Sequence, residues 1–184
     1  IINSALIRNI DLLKQIVDEY GSQAVVCSID YKYENNKFNI YSYSRKENKN
    51  IDIYEYLIKL IDNGIGEILV NSIENNGQKN GLDFKFIDKY RKLISCPLIV
   101  PCGVNNYNHI LKAINKNLDA VAIGNCLNHF EHSVILLKKM LKQIDKNKYI
   151  RLDTDIKYKN SNINLNNRLN PISDLNLKKM NKAY

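Results

Sequence analysis

The chain has 184 residues, 45% of them hydrophobic, which is enough to bury one sizeable core. Its formal charge of +8 is concentrated at one end: residues 144–184 hold nine Lys/Arg against four Asp/Glu, and that segment is asparagine-rich and lacks the aromatic interleaving used to grip single-stranded nucleic acid, so a nucleic-acid partner is not expected. No window approaches the roughly 18 continuous apolar residues of a membrane span, and no signal-peptide pattern is present, so no membrane role is expected.

In chain order, Ile1-Ile2 read as the last residues of a strand. The chain opens inside this apolar run, as expected of a fragment or processed product. Asp11 to Tyr20 has helical spacing. Ala24 to Ile29 is a short, nearly continuous apolar run, the pattern of a parallel strand buried on both faces. Phe38 to Tyr43 alternates in period two and predicts a hairpin strand within a long loop. Ile51 to Ile61 predicts a helix ending at Asn63-Gly64. Strands are expected at Glu67 to Val70, Pro97 to Val100 and Asp119 to Ile123. Helices are expected at Phe84 to Leu93, at Tyr107 to Asn117 with Asn105 or Asn106 as cap, and at Ser133 to Ile144. From about Asp145 the periodicity fails. The chain therefore divides into a folded domain, residues 1–150, and an Asn/Lys-rich mobile tail, residues 151–184.

Strands alternating with helices at this spacing predict a parallel α/β sheet or barrel, where ligand and catalytic groups gather at the carboxyl ends of the strands. Those ends are Asn3-Ser4, Asp30, Ser72 with Asn76-Gly77, Cys102-Gly103 and Gly124-Asn125. All are polar or glycine, whereas the apolar residues lie within the strands. Glycines let backbone N–H groups approach a phosphate closely. Plainer readings stand beside these: Asp30 as a turn cap, Glu67 as a surface strand start, Gly77 and Gly81 as turn glycines. Tyr31, Tyr33, Tyr41 and Tyr43 are expected to pack around the hairpin. Cys102 lacks a histidine placed to activate it. The four cysteines, Cys27, Cys96, Cys102 and Cys126, lack paired spacing and suit reduced thiols in a cytoplasmic protein. His129 and His132 have no third ligand nearby, so no metal or other cofactor is expected.

Four segments, G-S-Q-A-V-V-C-S-I-D, G-I-G-E-I-L-V-N-S-I-E-N-N-G-Q-K-N-G-L-D, P-L-I-V-P-C-G-V and D-A-V-A-I-G-N, resemble the cyclase subunit of imidazole glycerol phosphate synthase, from Ile1 to about Leu152. The resemblance implies a (β/α)8 TIM barrel, of which this chain supplies the C-terminal half, from the end of strand four through strand eight, with an irregular C-terminal tail. It implies a lyase/cyclase of histidine biosynthesis. Ammonia from a partner glutamine amidotransferase converts a phosphoribulosyl-formimino carboxamide nucleotide to imidazole glycerol phosphate and an aminoimidazole carboxamide nucleotide. By the same resemblance Asp30 is one member of the acid–base pair, the other lying on a first strand absent from this sequence. Asn76 takes the place of an aspartate that contacts substrate. Asn3 and Ser4 on one side, and Gly77, Gly103, Gly124 and Asn125 on the other, hold the two phosphates. Glu67 belongs to an ammonia gate at the opposite end of the barrel.

Departures from the family pattern are E-N-N-G-Q for D-x-D-G-T, Pro101-Cys102-Gly103 for S-G-G, and Ser44-Arg45-Lys46 in place of a glycine-rich loop. The N-S-I and Q-K-N-G segments resemble a subgroup of paralogues, which implies an alternative: use of channelled ammonia to amidinate a sugar in surface-polysaccharide biosynthesis. A further alternative is an inactive phosphate-binding half-barrel. Self-association through exposed edges at Ile1-Ile2 and Val121 is expected of an isolated half-barrel.

Overall fold

In a computed structural model, the structure describes residues 1–42, 47–78, 80–101, 103, 107–124, 127, 134, 137, 138, 141, 162, 163, 169 and 170. Two helices open the chain, α1 (Ser4–Arg8) and α2 (Asp11–Tyr20). Then come β1 (Val26–Glu34), β2 (Lys37–Ser42), β3 (Glu47–Asp52), α3 (Ile53–Asp62), β4 (Glu67–Ser72), α4 (Phe84–Tyr90), β5 (Leu98–Pro101), α5 (Tyr107–Asn115) and β6 (Ala120–Ala122). A separate pair, β7 (Asn162–Ile163) and β8 (Leu169–Asn170), is antiparallel and lies in the segment expected to be a mobile tail. Of the expected helix from Ser133 to Ile144, the described residues Val134, Leu137, Lys138 and Leu141 are helical.

Six strands form one sheet in the order β3-β2-β1-β4-β5-β6. β1, β4, β5 and β6 run parallel, joined by crossovers that contain α3, α4 and α5, the repeating unit of a (β/α) barrel. Ile2 forms a parallel bridge to Cys27, donating its N–H to Val26 O and accepting from Ser28 N, both at 2.8 Å. Because Cys27 also pairs with Ile68 of β4, Ile2 occupies the other edge of β1.

The expectation of strands buried on both faces is corrected by the structure. Burial alternates along β1, β4 and β5. Cys27, Ile29, Tyr31, Ile68, Val70, Leu98 and Val100 are buried on the helix-bearing face, while Val26, Ser28, Leu69, Asn71 and Ile99 on the inner face are half-buried. Helices cover one face only, and the inner face of a barrel is closed by further strands. An apolar run in the sequence thus records what a strand buries in a closed barrel, which these residues alone do not complete.

The sequence reading ended the first strand near Ile29. It continues to Glu34 because β2 folds back on it from Tyr31 onward, through a turn in which Asn35 and Asn36 have φ of 52° and 61°. Positive φ at both central residues is what a two-residue type I′ hairpin requires, and asparagine tolerates it. β3 adds a third antiparallel strand that no alternation announced. At the far side of this extension, Tyr31, Phe38, Phe86 and Tyr90 form an aromatic cluster, Tyr31 and Phe86 stacking with centroids 4.4 Å apart. Two of the helices, α3 and α4, start at side-chain caps. Asp52 accepts from Tyr54 N at 2.7 Å and Asp83 from Phe86 N at 3.2 Å.

Candidate active site

Among the described residues, the carboxyl ends of the parallel strands carry one buried carboxylate, Asp30 on β1. Its neighbour in register on β4 is Asn71, whose Nδ2 donates to Oδ1 at 2.7 Å; Nδ2 of Asn3 donates to Oδ2 at 2.5 Å. Both amides present their donor side to the carboxylate oxygens, which accept. The orientation of Asn3 is thereby fixed, and its Oδ1 is left buried with no partner among the described residues. Asn3 follows the Ile2 bridge to one edge of β1, and Asn71 lies on β4 along the other, so Asn3, Asp30 and Asn71 form a polar row. The sequence marked Asn3 and Asp30 but passed over Asn71. Its signal was there: Asn71 alternates with the outward Val70 and Ser72, and therefore faces inward.

Asn3, expected as a phosphate contact, is placed beside Asp30 and makes no side-chain cap to α1. Ser4 opens that helix. Asn76 lies exposed on the loop after β4, its backbone N–H bonded to Ser72 O at 2.9 Å. Gly77 follows with φ of 76° in open surroundings, a conformation glycine adopts without strain. Gly124 is exposed at the end of β6. Asn125, Cys102 and Ser44-Arg45-Lys46 lie outside the described residues, as do His129 and His132. Glu67 begins β4 on the same inner face as Asn71, four residues earlier and so about 13 Å toward the opposite end.

The mouth is braced from below. Tyr31 donates its hydroxyl to Asp83 Oδ2 at 3.0 Å, and burial, reinforced by the Asp83 charge, pushes the Tyr31 pKa strongly up. Glu74 Oε2 accepts from Tyr33 N at 3.2 Å, tying the loop after β4 to the hairpin, and Lys85 Nζ lies 3.5 Å from the centroid of the Tyr33 ring. Gly81 closes the loop. It is buried, has φ of 85°, and donates its N–H to Gly103 O at 3.1 Å in an antiparallel bridge. Beside this bridge stands His109 of α5, a residue the sequence reading did not single out. Burial, and then Lys112, hold its pKa below the ordinary histidine range, while a hydrogen bond to the Gly103 backbone acts the other way. No group of three or more His, Cys, Asp or Glu among the described residues could hold a metal.

A buried carboxylate gripped by two amides at the carboxyl end of a parallel sheet can hold or accept a proton, and the glycines that follow neighbouring strands leave backbone N–H groups able to meet an anion. The sequence pattern of the family described as histidine biosynthesis protein matches residues 1–133. The chain belongs to the histidine biosynthesis protein family. Within that family it is 35% identical over 142 residues to an imidazole glycerol phosphate synthase subunit HisF of Thermotoga sp. (strain RQ2), covering 77% of this chain and 56% of the relative. It is 31% identical over 153 residues to the HisF subunit of Dictyoglomus thermophilum, covering 83% and 60%. It is 28% identical over 160 residues to a putative hisF2 of Vibrio vulnificus, covering 86% and 58%. The chain therefore spans less than two thirds of the length of these histidine biosynthesis relatives. The parallel sheet of β1, β4, β5 and β6 fits a partial (β/α)8 barrel.

Proposed function

We propose that this chain carries the strand-five to strand-eight portion of an ammonia-dependent cyclase acting on a doubly phosphorylated nucleotide, in keeping with its similarity to imidazole glycerol phosphate synthase subunits HisF. The observation that carries the reading is the Asp30 carboxylate held between Asn3 and Asn71 at the carboxyl end of the sheet. Held this way, Asp30 is aimed and cannot rotate freely, as a general acid–base group must be. It takes a proton as ammonia adds to the substrate carbonyl and returns it as the ring closes. The partner acid comes from a strand outside this sequence. Asn76 offers an amide where the family pattern has aspartate, and so supplies hydrogen bonds to substrate without proton transfer. The glycine turns at Gly77, Gly103 and Gly124 hold phosphate, with Asn125 and Ser4 completing the two ends. A glutamine amidotransferase docks at the opposite end, where Glu67 guards the entry of ammonia.

The test is ammonium-dependent turnover of the phosphoribulosyl-formimino carboxamide nucleotide by the wild-type protein and by Asp30→Asn. Loss of about 10²–10⁴-fold in kcat with substrate binding retained is the expected result. Turnover unchanged in Asp30→Asn would remove the reading. A second reading, amidination of a sugar with the same ammonia, is favoured by Asn76 and by the other departures in the mouth loop. A wild-type protein that ignores the nucleotide while transferring ammonia to an acetamido sugar would establish it instead.

A further inference from the structure

His109 connects two turns that are far apart in the chain. A Cβ built on Gly81 would lie 3.1 Å from each of Cδ2, Cε1 and Nε2 of the imidazole. Equal distances to an apex atom and to both its ring neighbours place Gly81 over the ring face, since an in-plane approach would leave the neighbours farther away. The same imidazole is hydrogen-bonded to the backbone of Gly103, which in turn accepts the Gly81 N–H at 3.1 Å. Gly81 and Gly103 are both buried and both glycine, and a side chain at Gly81 would fall inside the contact. Three groups from the loop after β4, the turn after β5 and α5 thus close a small triangle behind the rim.

We infer that His109 is a positioning residue for the phosphate rim: its ring seats Gly81 and its N–H fixes the Gly103 carbonyl, so that the two glycine turns form one concave anion site rather than two independent loops. The inference rests on the phosphate-holding reading above and adds the residue that holds its two turns together. The physical reason is preorganisation. Turns that are already registered lose little conformational freedom when phosphate arrives, whereas loose turns must be ordered at the cost of affinity. Glycine at both positions permits the close stacking, and a histidine provides a flat face and a directed donor in one side chain.

The experiment uses the full chain labelled with nitrogen-15, titrated with inorganic phosphate while the amide signals of Gly77, Gly81 and Gly103 are followed. The wild type is expected to show saturable shifts at these glycines and slow amide exchange at Gly81. His109→Leu keeps bulk and removes the donor; binding about fivefold weaker and faster Gly81 exchange are expected. His109→Asn and His109→Gln place an amide N–H near the two ring nitrogen positions, and one of them is expected to restore binding. That rescue separates positioning from general stability. Gly81→Ala attacks the same contact from the other side and decides the matter should His109→Leu not fold. Wild-type binding that persists unchanged in His109→Leu or in Gly81→Ala overturns the inference alone, as does failure of both amide variants to restore it. A wild type without phosphate shifts at these glycines overturns the phosphate reading and the inference with it.

Discussion

Gly66 precedes Glu67, and a Cβ added there would lie 1.9 Å from the carbonyl oxygen of Ser22, 2.7 Å from its carbon and 3.0 Å from Val25 O. All three are backbone atoms of the segment joining α2 to β1, so no side chain can swing away. The overlap with Ser22 O is about 1.5 Å inside ordinary contact, and only a shift of one backbone relative to the other relieves it. That shift acts on the first rung of the β1–β4 ladder, where Glu67 N donates to Val25 O at 3.1 Å. A lost backbone hydrogen bond costs about 1 kcal/mol and overpacking about 1–3 kcal/mol, so Gly66→Ala should destabilise by about 2–4 kcal/mol. For a chain of this size that corresponds to a fall in Tm of roughly 4–16 °C. Gly77→Ala is the control. Its φ of 76° strains any alanine, but nothing lies within 4 Å, so about 1–2 kcal/mol from backbone strain alone is expected. Thermal and urea unfolding of the two variants side by side make the assay. A Gly66→Ala protein as stable as wild type, or one less affected than Gly77→Ala, would refute the argument that close backbone approach fixes this position.

Asp83 serves both as the cap of α4 and as acceptor for the buried Tyr31 hydroxyl, so Asp83→Ala should cost about 2–3 kcal/mol in urea unfolding and Asp83→Asn, which keeps an acceptor, distinctly less. Asp119 Oδ2 accepts from Leu98 N at 2.8 Å and pairs with Arg91 Nη2 at 3.1 Å, while Arg91 Nη1 donates to Ile94 O at 2.7 Å; Asp119→Ala should cost about 1–3 kcal/mol because it strands the β5 N–H, and Arg91→Lys should cost less than that. Burial pushes the Cys27 thiol up to about 12, and burial also raises Tyr31 and Tyr56 above the ordinary tyrosine range. Unfolding releases these groups to ionise at their ordinary values, so on the alkaline side stability should fall as pH rises from about 9 toward 12. Urea midpoints between pH 7.5 and 10.5 measure this, and a midpoint that rises over that range would refute it.

The element order was legible in the sequence because each element carries its own local instruction. α2 was read as Asp11–Tyr20 from apolar spacing, and α3, α4 and α5 differ from their expected spans only at the ends. Asp30 stood out because a carboxylate after six apolar or small residues has few reasons to be there. The third strand of the hairpin was not legible. Glu47–Asp52 is mostly polar, and it forms a strand by pairing with β2 rather than by any apolar alternation. The loop of amides and glycines after β4 was visible in the sequence, but not its anchor, since Glu74 meets Tyr33 across 41 residues of chain.

What the sequence determined by itself was the alternation of strand and helix, the polar or glycine end of every parallel strand, and the motifs of the histidine biosynthesis family. Those are properties of neighbours in the chain, set by side-chain period and turn chemistry. Alternation could place Asn71 on the inner face, but that Asn71 rather than a loop residue grips Asp30 was decided only by the register of β1 against β4. The contact of His109 with Gly81 and Gly103 was likewise decided by packing, because it joins three segments through a ring face and two carbonyl-level contacts that leave no periodic trace. Local patterns report how a residue relates to its own element; a site is built between elements, and only the closed geometry specifies those distances.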